Sequence, residues 1–281
     1  MTRGGRRLHW VLRDIDFLAG AVYLRLFYYM EDFKVLVGTA VNTVLTLVSY
    51  LVLWTAILSN THVFQGDYGT WDIGMIVLLV GFSELAFAVD SLLTYGLALI
   101  PGIIHEEGLE AYSIYPVSTL SVILGRYSEP IDGFAGLLVS SSFITASHLV
   151  LGTPLSLKGL ILGLVLLSLG LLILSSVYLL VAALSFRLGL IEAPVDLVTS
   201  IYTSFSRVPH DIYPHPLRAF LTFIIPVALL STYPALLTAG SLNPVDVLSL
   251  LASATLLALL MVLLAFQAWR RGRGVYEPVG G

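Results

Sequence analysis

The chain has 281 residues, of which 57% are hydrophobic and only 11% charged, with a formal net charge of −4 and a mean hydropathy of +0.92. A soluble domain carries about 25% charged residues, so this chain lacks the polar surface to cover a soluble globule and reads as an all-α integral membrane protein. It contains no cysteine, which excludes disulfides, thiolate metal sites and cysteine nucleophiles.

Residues 1–34 form a segment distinct from the rest. They carry Arg3, Arg6, Arg7, Arg13, Arg25 and Lys34, with Asp14, Asp16, Glu31 and Asp32. Leu8, Leu12, Ile15, Leu18 and Val22 recur at helical spacing. Trp10, Phe17, Tyr23, Phe27, Tyr28 and Tyr29 add aromatics suited to a membrane interface. The pattern predicts an amphipathic helix lying along the cytoplasmic membrane surface. The first long apolar run opens only near Val35, too late and too long for a cleavable leader, so the spans are expected to direct insertion themselves.

Residues 35–281 read as one membrane domain with six apolar runs, at 35–58, 73–100, 134–152, 160–186, 219–240 and 245–267. Each is near or above the ~20 residues a helix needs to cross the hydrocarbon core, and lipid leaves the helix as the expected form. Six spans with both termini inside place every Lys and Arg except Lys158 on the cytoplasmic side, as the positive-inside rule asks. The segment 101–133 is then cytoplasmic.

The run 219–240 holds Pro226 and Pro234, each of which removes a helix hydrogen bond and invites a hinge. A second topology is therefore open. Residues 190–206 could make a half-polar span, and 217–240 would then dip into the outer leaflet as a re-entrant hairpin. Arg207 and Arg218 favour the simple six-run reading.

Several chemistries can be weighed directly. No Gly-Lys pair exists, so the Walker-A phosphate cradle is absent and ATP hydrolysis is expected elsewhere. His105-Glu106 begins a zinc-protease pattern, but Leu109 stands where the second His would be, so no metal site is expected. Ser140, Ser141, Ser142 and Ser147 lie beside His148, yet neighbours on one helix cannot form a nucleophile–base pair; packing or pathway lining is expected there. Glu84 and Asp90 lie well inside a run, where a carboxylate is costly and either functional or paired. Six positions apart, they face different sides: Glu84 with Ser91 and Tyr95, Asp90 with Ser83 and Thr94. Glu84, Asp90 and His148 are the pathway candidates. Gly159 and Gly163 form a small-residue pair that allows close helix approach.

The polar island Ile103–Ser118 remains, IIHEEGLEAYSIYPVS. Gly108 and Pro116 punctuate it. Leu109, Tyr112, Ile114 and Tyr115 can present an aromatic face, with Glu106, Glu107 and Glu110 as an acidic one. Aromatic anchors with a charged rim suit a protein contact.

Glu106-Glu107-Gly108-Leu109-Glu110, then Tyr115-Pro116-Val117-Ser118 and Gly125-Arg126, resemble the cytoplasmic coupling helix between spans two and three of type-2 ABC exporter permeases. Arg207-Val208-Pro209, Tyr213-Pro214 and the following LRAFLTFIIPVALLSTYPALLTAG, with Trp269-Arg270-Arg271-Gly272 and Tyr276, resemble the multidrug or viologen exporter branch, in which Arg often stands at the position of Tyr115. The resemblance implies six spans, a basic interfacial helix and a re-entrant element before the last span. It implies ATPase coupling through Glu106, Glu107, Gly108, Leu109, Glu110, Tyr112, Tyr115 and Pro116. The implied partners are two copies of an ABC ATPase, which would hold ATP and Mg, a second permease, identical or not, and the lipid bilayer. No cofactor on this chain and no nucleic acid is expected. The plasma membrane is the expected site and an amphipathic compound, lipid or drug the expected cargo. A secondary transporter using intramembrane carboxylates and a membrane enzyme acting on lipids are the alternatives.

Overall fold

The computed structural model describes residues 3–30, 33–61, 64–67, 69–189 and 193–276, without the side chains of 3–11, 28–30, 33, 60 and 61. The expectations placed on the side chains of Leu8, Trp10, Tyr28, Tyr29, Glu31 and Asp32, and on residues 190–192, lie outside the described residues.

The basic leader is helix α1 (Arg3–Met30). The first apolar run is α2 (Phe33–Thr61). A small antiparallel hairpin follows, β1 (Phe64–Gly66) and β2 (Gly69–Trp71), pairing Phe64 with Trp71; eight residues between two long apolar runs gave no strand signal. Helix α3 (Ile73–Leu93) starts on Asp72, whose carboxylate accepts from the Met75 N–H at 2.8 Å, an N-cap that satisfies one orphan donor.

The expected run 73–100 is not one span. After Leu93 the chain breaks into a turn, a 3-10 turn at Tyr95–Leu97, the single turn α4 (Ile100–Gly102) and a π-helical turn, Ile103–Glu107. Thr94, Gly96 and Pro101 supply the interruptions. The short helices α5 (Glu110–Ser113) and α6 (Thr119–Arg126) complete this end. α6 is capped by Ser118, which accepts from the Ser121 N–H at 3.1 Å.

Helix α7 (Pro130–Leu149) begins with Pro at its first position, where no N–H is missed. It runs antiparallel along α3: Gly133 lies on Leu92, Gly136 on Ala88, Gly81 on Ile144, and the Ser147 hydroxyl donates to the Gly74 carbonyl at 2.8 Å. Small residues let these backbones approach, as helix packing in lipid requires. Helix α8 (Leu157–Leu188) is capped by Ser156. Helix α9 (Ala193–Phe205) climbs back from the far end of α8, and the Tyr178 and Thr199 hydroxyls meet at 3.0 Å.

The next segment, α10 (His215–Phe223), α11 (Val227–Leu230) and α12 (Thr232–Thr238), does not cross the molecule. It enters beside the hairpin, where the Trp71 indole donates to Asp211 at 2.9 Å and Arg218 pairs with Asp67. It bends by 63° between α10 and the α11–α12 pair. It reaches Gly170 of α8, which packs on Leu229 and Leu230, about 20 Å along that helix. It then returns past Gly163 and Gly159 until Ser241 lies against Gly69 of the hairpin. The second of the two topologies weighed from the sequence is the one this path matches. Arg218 therefore lies at the hairpin end and Arg207 in the interior, not with the basic residues at the opposite end. Each has an acidic partner, which a count of Lys and Arg does not see. Pro226 sits at the bend, as expected of a hinge. Pro234 does not break a helix: it lies in the first turn of α12, where its missing N–H is harmless.

Helix α13 (Pro244–Arg273) closes the fold parallel to α8, start beside start and Phe186 on Gly272 at the other end, with Arg270, Arg271 and Arg273 in its last turn, where positive charge suits the helix dipole. By length and composition α2, α3, α8 and α13 can each cross a membrane, and the bent α10–α12 pair passes only as a broken unit. α7, with four serines and Asp132, falls below that hydropathy, although it matches α3 in depth. The molecule thus has two ends. One carries the hairpin; the other carries 95–128, α1 and the last turns of α8 and α13.

Candidate functional site

The island Ile103–Ser118 is folded onto the end of the bundle opposite the hairpin, and its residues divide into a buried base and an exposed tip. Leu109 and Tyr112 are buried, Tyr112 completely. This corrects the expectation that both belong to the contact face. Ile114 is 81% and Tyr115 42% exposed, and Ser113 and Pro116 are exposed beside them. The apolar presentation is thus Ile114-Tyr115-Pro116, with Glu106 exposed nearby.

The base is organised by hydroxyls. The Tyr112 hydroxyl donates to Glu107 and lies 2.8 Å from the Tyr127 hydroxyl, which donates to Glu107 at 2.7 Å. These bonds hold the Glu107 carboxyl below the usual glutamate range, because they favour the charged form. Burial and the carboxylate hold the Tyr112 phenol well above the usual tyrosine value. The Arg126 guanidinium lies 5.4 Å from the Tyr112 ring centre and 5.9 Å from that of Tyr127, a cation–π geometry.

Gly108 closes the π-turn with φ of +78°, a conformation that L side chains rarely adopt. A Cβ there would also collide with the Glu110 carboxylate. The Gly between two acidic residues is thus required by the turn itself.

Three elements hold the base: α8, the tail after α13, and α1. The His105 imidazole Nε2 donates to the Ser185 carbonyl of α8 at 2.9 Å. Tyr276, beyond α13, donates to Glu110 at 2.8 Å and accepts from the Leu109 N–H at 3.0 Å. Asp14 of α1 accepts from the Ser118 N–H at 3.2 Å, and Phe17 packs against Tyr115 with ring centres 6.3 Å apart. Arg25 donates to the Arg126 carbonyl. The partners Tyr276, Tyr127 and Phe17 could not be assigned to this site from the sequence, because 276 and 109 meet only through the α8–α13 packing.

The three pathway candidates do not converge. Glu84 is paired with Arg207 at 3.5 Å, both side chains buried. The guanidinium lies 5.0 Å from the centres of both the Tyr50 and Phe87 rings. The Trp54 indole donates to the Arg207 carbonyl at 3.2 Å, and Ser83 donates to Ser206 at 2.8 Å. These contacts pin the top of α9 to α3 and α2. Asp90 accepts from the Thr94 hydroxyl, closer to the island. His148 is at the hairpin end, its Nδ1 2.9 Å from the Thr153 carbonyl. A cavity of about 240 Å³ opens between α9 and the turn before the island, lined by Tyr95, Leu99, Pro101, Gly102, Asp196 and Thr199.

The family description "ABC-2 family transporter protein" matches residues 44–280, from within α2 to beyond α13. The chain belongs to the ABC-2 transporter family. This ABC-2 permease is a multi-pass membrane subunit of an ABC transporter, a transport component and not itself catalytic, and its family generally works with an ABC ATPase. No curated protein and no solved structure matches the chain.

Proposed function

We propose that this ABC-2 permease forms the path of an ATP-driven exporter and that Ile114, Tyr115 and Pro116 are the surface its ATPase grips. The observation that carries the reading is the division of the island into a tethered base and an uncovered apolar tip. A flexible loop would absorb a push; one tied to α1, α8 and the α13 tail passes it on. Exposed aromatic and aliphatic side chains beside a carboxylate are the usual anchors of a protein interface.

On this reading the island end is cytoplasmic, as are both termini, which keeps Arg126, Arg187, Arg270, Arg271 and Arg273 on the positive side of the plasma membrane. The spans are α2, α3, α7, α8, α9 and α13, while α10–α12 re-enters from outside. Two ATPase copies bind ATP and Mg and close against two permeases, identical or not. The uncovered apolar flank of α2, with Val41, Leu45, Val48 and Val52, suits lipid or the second permease. The late-chain motifs support the multidrug or viologen exporter branch and an amphipathic cargo. Glu84, Asp90 and His148 each have a partner within the chain, which weighs against a proton-driven carrier.

Tyr115→Ala tests the contact and leaves the Tyr112–Tyr127–Glu107 network in place, while removing the packing on Phe17. In the reconstituted complex its loss is expected to weaken ATPase binding by about 30-fold, the scale of an interface hot spot, and to depress ATP-driven transport with it. Unchanged affinity and transport would overturn the assignment.

A further inference from the structure

The ties that hold the island differ in what they connect. α3 is joined to it by the chain itself, and α8 by His105 on the Ser185 carbonyl. Among the described residues, a tie to α13 runs through the Tyr276 phenol. Tyr276 follows the end of α13 by three positions, yet its hydroxyl sits in the first turn of α5. There it accepts from the Leu109 N–H at 3.0 Å and donates to the Glu110 carboxylate at 2.8 Å. The bond to the carboxylate is charge-assisted and so among the stronger kinds. The bond from Leu109 satisfies an N–H at the start of a helix, where no intrahelical acceptor exists.

The ring of Tyr276 is keyed to the bundle. It meets Phe186 of α8 edge-on with centres 5.8 Å apart, and Phe186 packs on Trp269 of α13 at 5.2 Å. Gly272 makes this possible: a Cβ there would run into the Phe186 ring. On the other side, Gly108 leaves room for the Glu110 carboxylate that Tyr276 binds, since a Cβ there would collide with it.

We propose that Tyr276 is a latch through which a push on the island is delivered to α13, so that α3 and α13 move as one body. It is a positioning residue, acting through Leu109 and Glu110, and the proposal rests on the reading of Ile103–Ser118 as the ATPase contact. Without the hydroxyl, force on α5 reaches α3 and α8 directly and α13 only through its packing on α8.

The test uses the full permease reconstituted with its ATPase, in four variants: Tyr276→Phe, Glu110→Ala, Glu110→Gln and Tyr115→Ala. Tyr276→Phe keeps the ring on Phe186 and removes both hydrogen bonds; Glu110→Ala removes one without touching the ring. Transport per ATP hydrolysed is expected to fall about fivefold in both, the scale of a lost intramolecular hydrogen bond, whereas Glu110→Gln, still an acceptor, retains it. Spin labels at Ala111→Cys and Arg273→Cys report the movement directly. Their separation is expected to stay constant on nucleotide binding in the parent and to change in Tyr276→Phe. The latch is overturned if Tyr276→Phe keeps both the yield per ATP and the fixed separation, or if yield falls only in proportion to lost complex. Tyr115→Ala separates the two ideas. If it abolishes transport while Tyr276→Phe does not, the latch alone fails. If Tyr115→Ala is silent, the contact reading fails, and the label separation still decides whether Tyr276 ties α13 to the island.

Discussion

The two ends of this permease handle polar groups in opposite ways. At the hairpin end, polar groups are matched to each other: Arg218 to Asp67, Trp71 to Asp211, the His210 Nε2 to the Arg218 carbonyl at 3.0 Å. At the island end, hydroxyls and carboxylates tie a base together, and an apolar tip, Ile114, Tyr115 and Pro116, stands exposed beside Glu106 and Glu107. The hairpin end thus closes its polar groups on one another. The island end sets an exposed aromatic and aliphatic tip on a hydrogen-bonded base, the kind of patch that marks a contact site. The returning segment α10–α12 is held at its entrance by the Arg218–Asp67 pair and the Trp71–Asp211 hydrogen bond before it bends at Pro226.

The sharpest way to break the comparison is by side of exposure. The chain has no native cysteine, so His215→Cys, Ser241→Cys and Ile114→Cys can be probed singly with an impermeant thiol reagent on intact cells. Positions 215 and 241 are expected to label from outside together, and 114 only after permeabilisation. Labelling of 215 and 241 from opposite sides would make α10–α12 a span and dissolve the closed end. The next effect is in stability. Arg207→Ala leaves Glu84 buried without its partner and is expected to cost about 3–5 kcal/mol, read as the unfolding midpoint in micelles. Arg207→Met with Glu84→Leu, which removes both charges, is expected to recover most of it. A null result for the single change would mean that the pair does not hold α9 to α3.

The smallest effect is at the island and is pH-dependent. The Glu107 carboxyl is held below its ordinary value of 4.5 by the Tyr112 and Tyr127 hydroxyls. Its contribution to the folded island is therefore fully present above about pH 4.5 and lost as the pH falls through the lower folded value. Glu107→Gln is expected to flatten this acid limb in hydrogen exchange of residues 103–118, leaving neutral pH nearly unchanged. An acid limb identical in the variant would remove Glu107 from the base.

Much of the architecture was legible because lipid simplifies the code. Long apolar runs at 35–58, 160–186 and 245–267 became α2, α8 and α13 with ends shifted by a few residues, and the amphipathic stripe of 1–34 became α1. The island was visible as a polar interruption, and Gly108 as its turn. Charge counting grouped Arg207 and Arg218 with the basic residues of the island end, whereas Arg207 pairs with Glu84 in the interior and Arg218 with Asp67 at the hairpin. The face of the island was misread at Leu109 and Tyr112 because residues in a π-turn and a four-residue helix have no steady period from which to read a buried side.

What the sequence determined by itself is the class of the protein, the positions of its principal helices and the presence of one polar segment between spans, because burial in lipid is decided residue by residue. What only the tertiary structure decided is where those helices turn back and which side chains meet. That Ser241 returns to Gly69, that Arg207 finds Glu84 and that Tyr276 reaches Leu109 depend on helices packed at glycine seams. Such contacts depend on distances in space that no local spacing encodes.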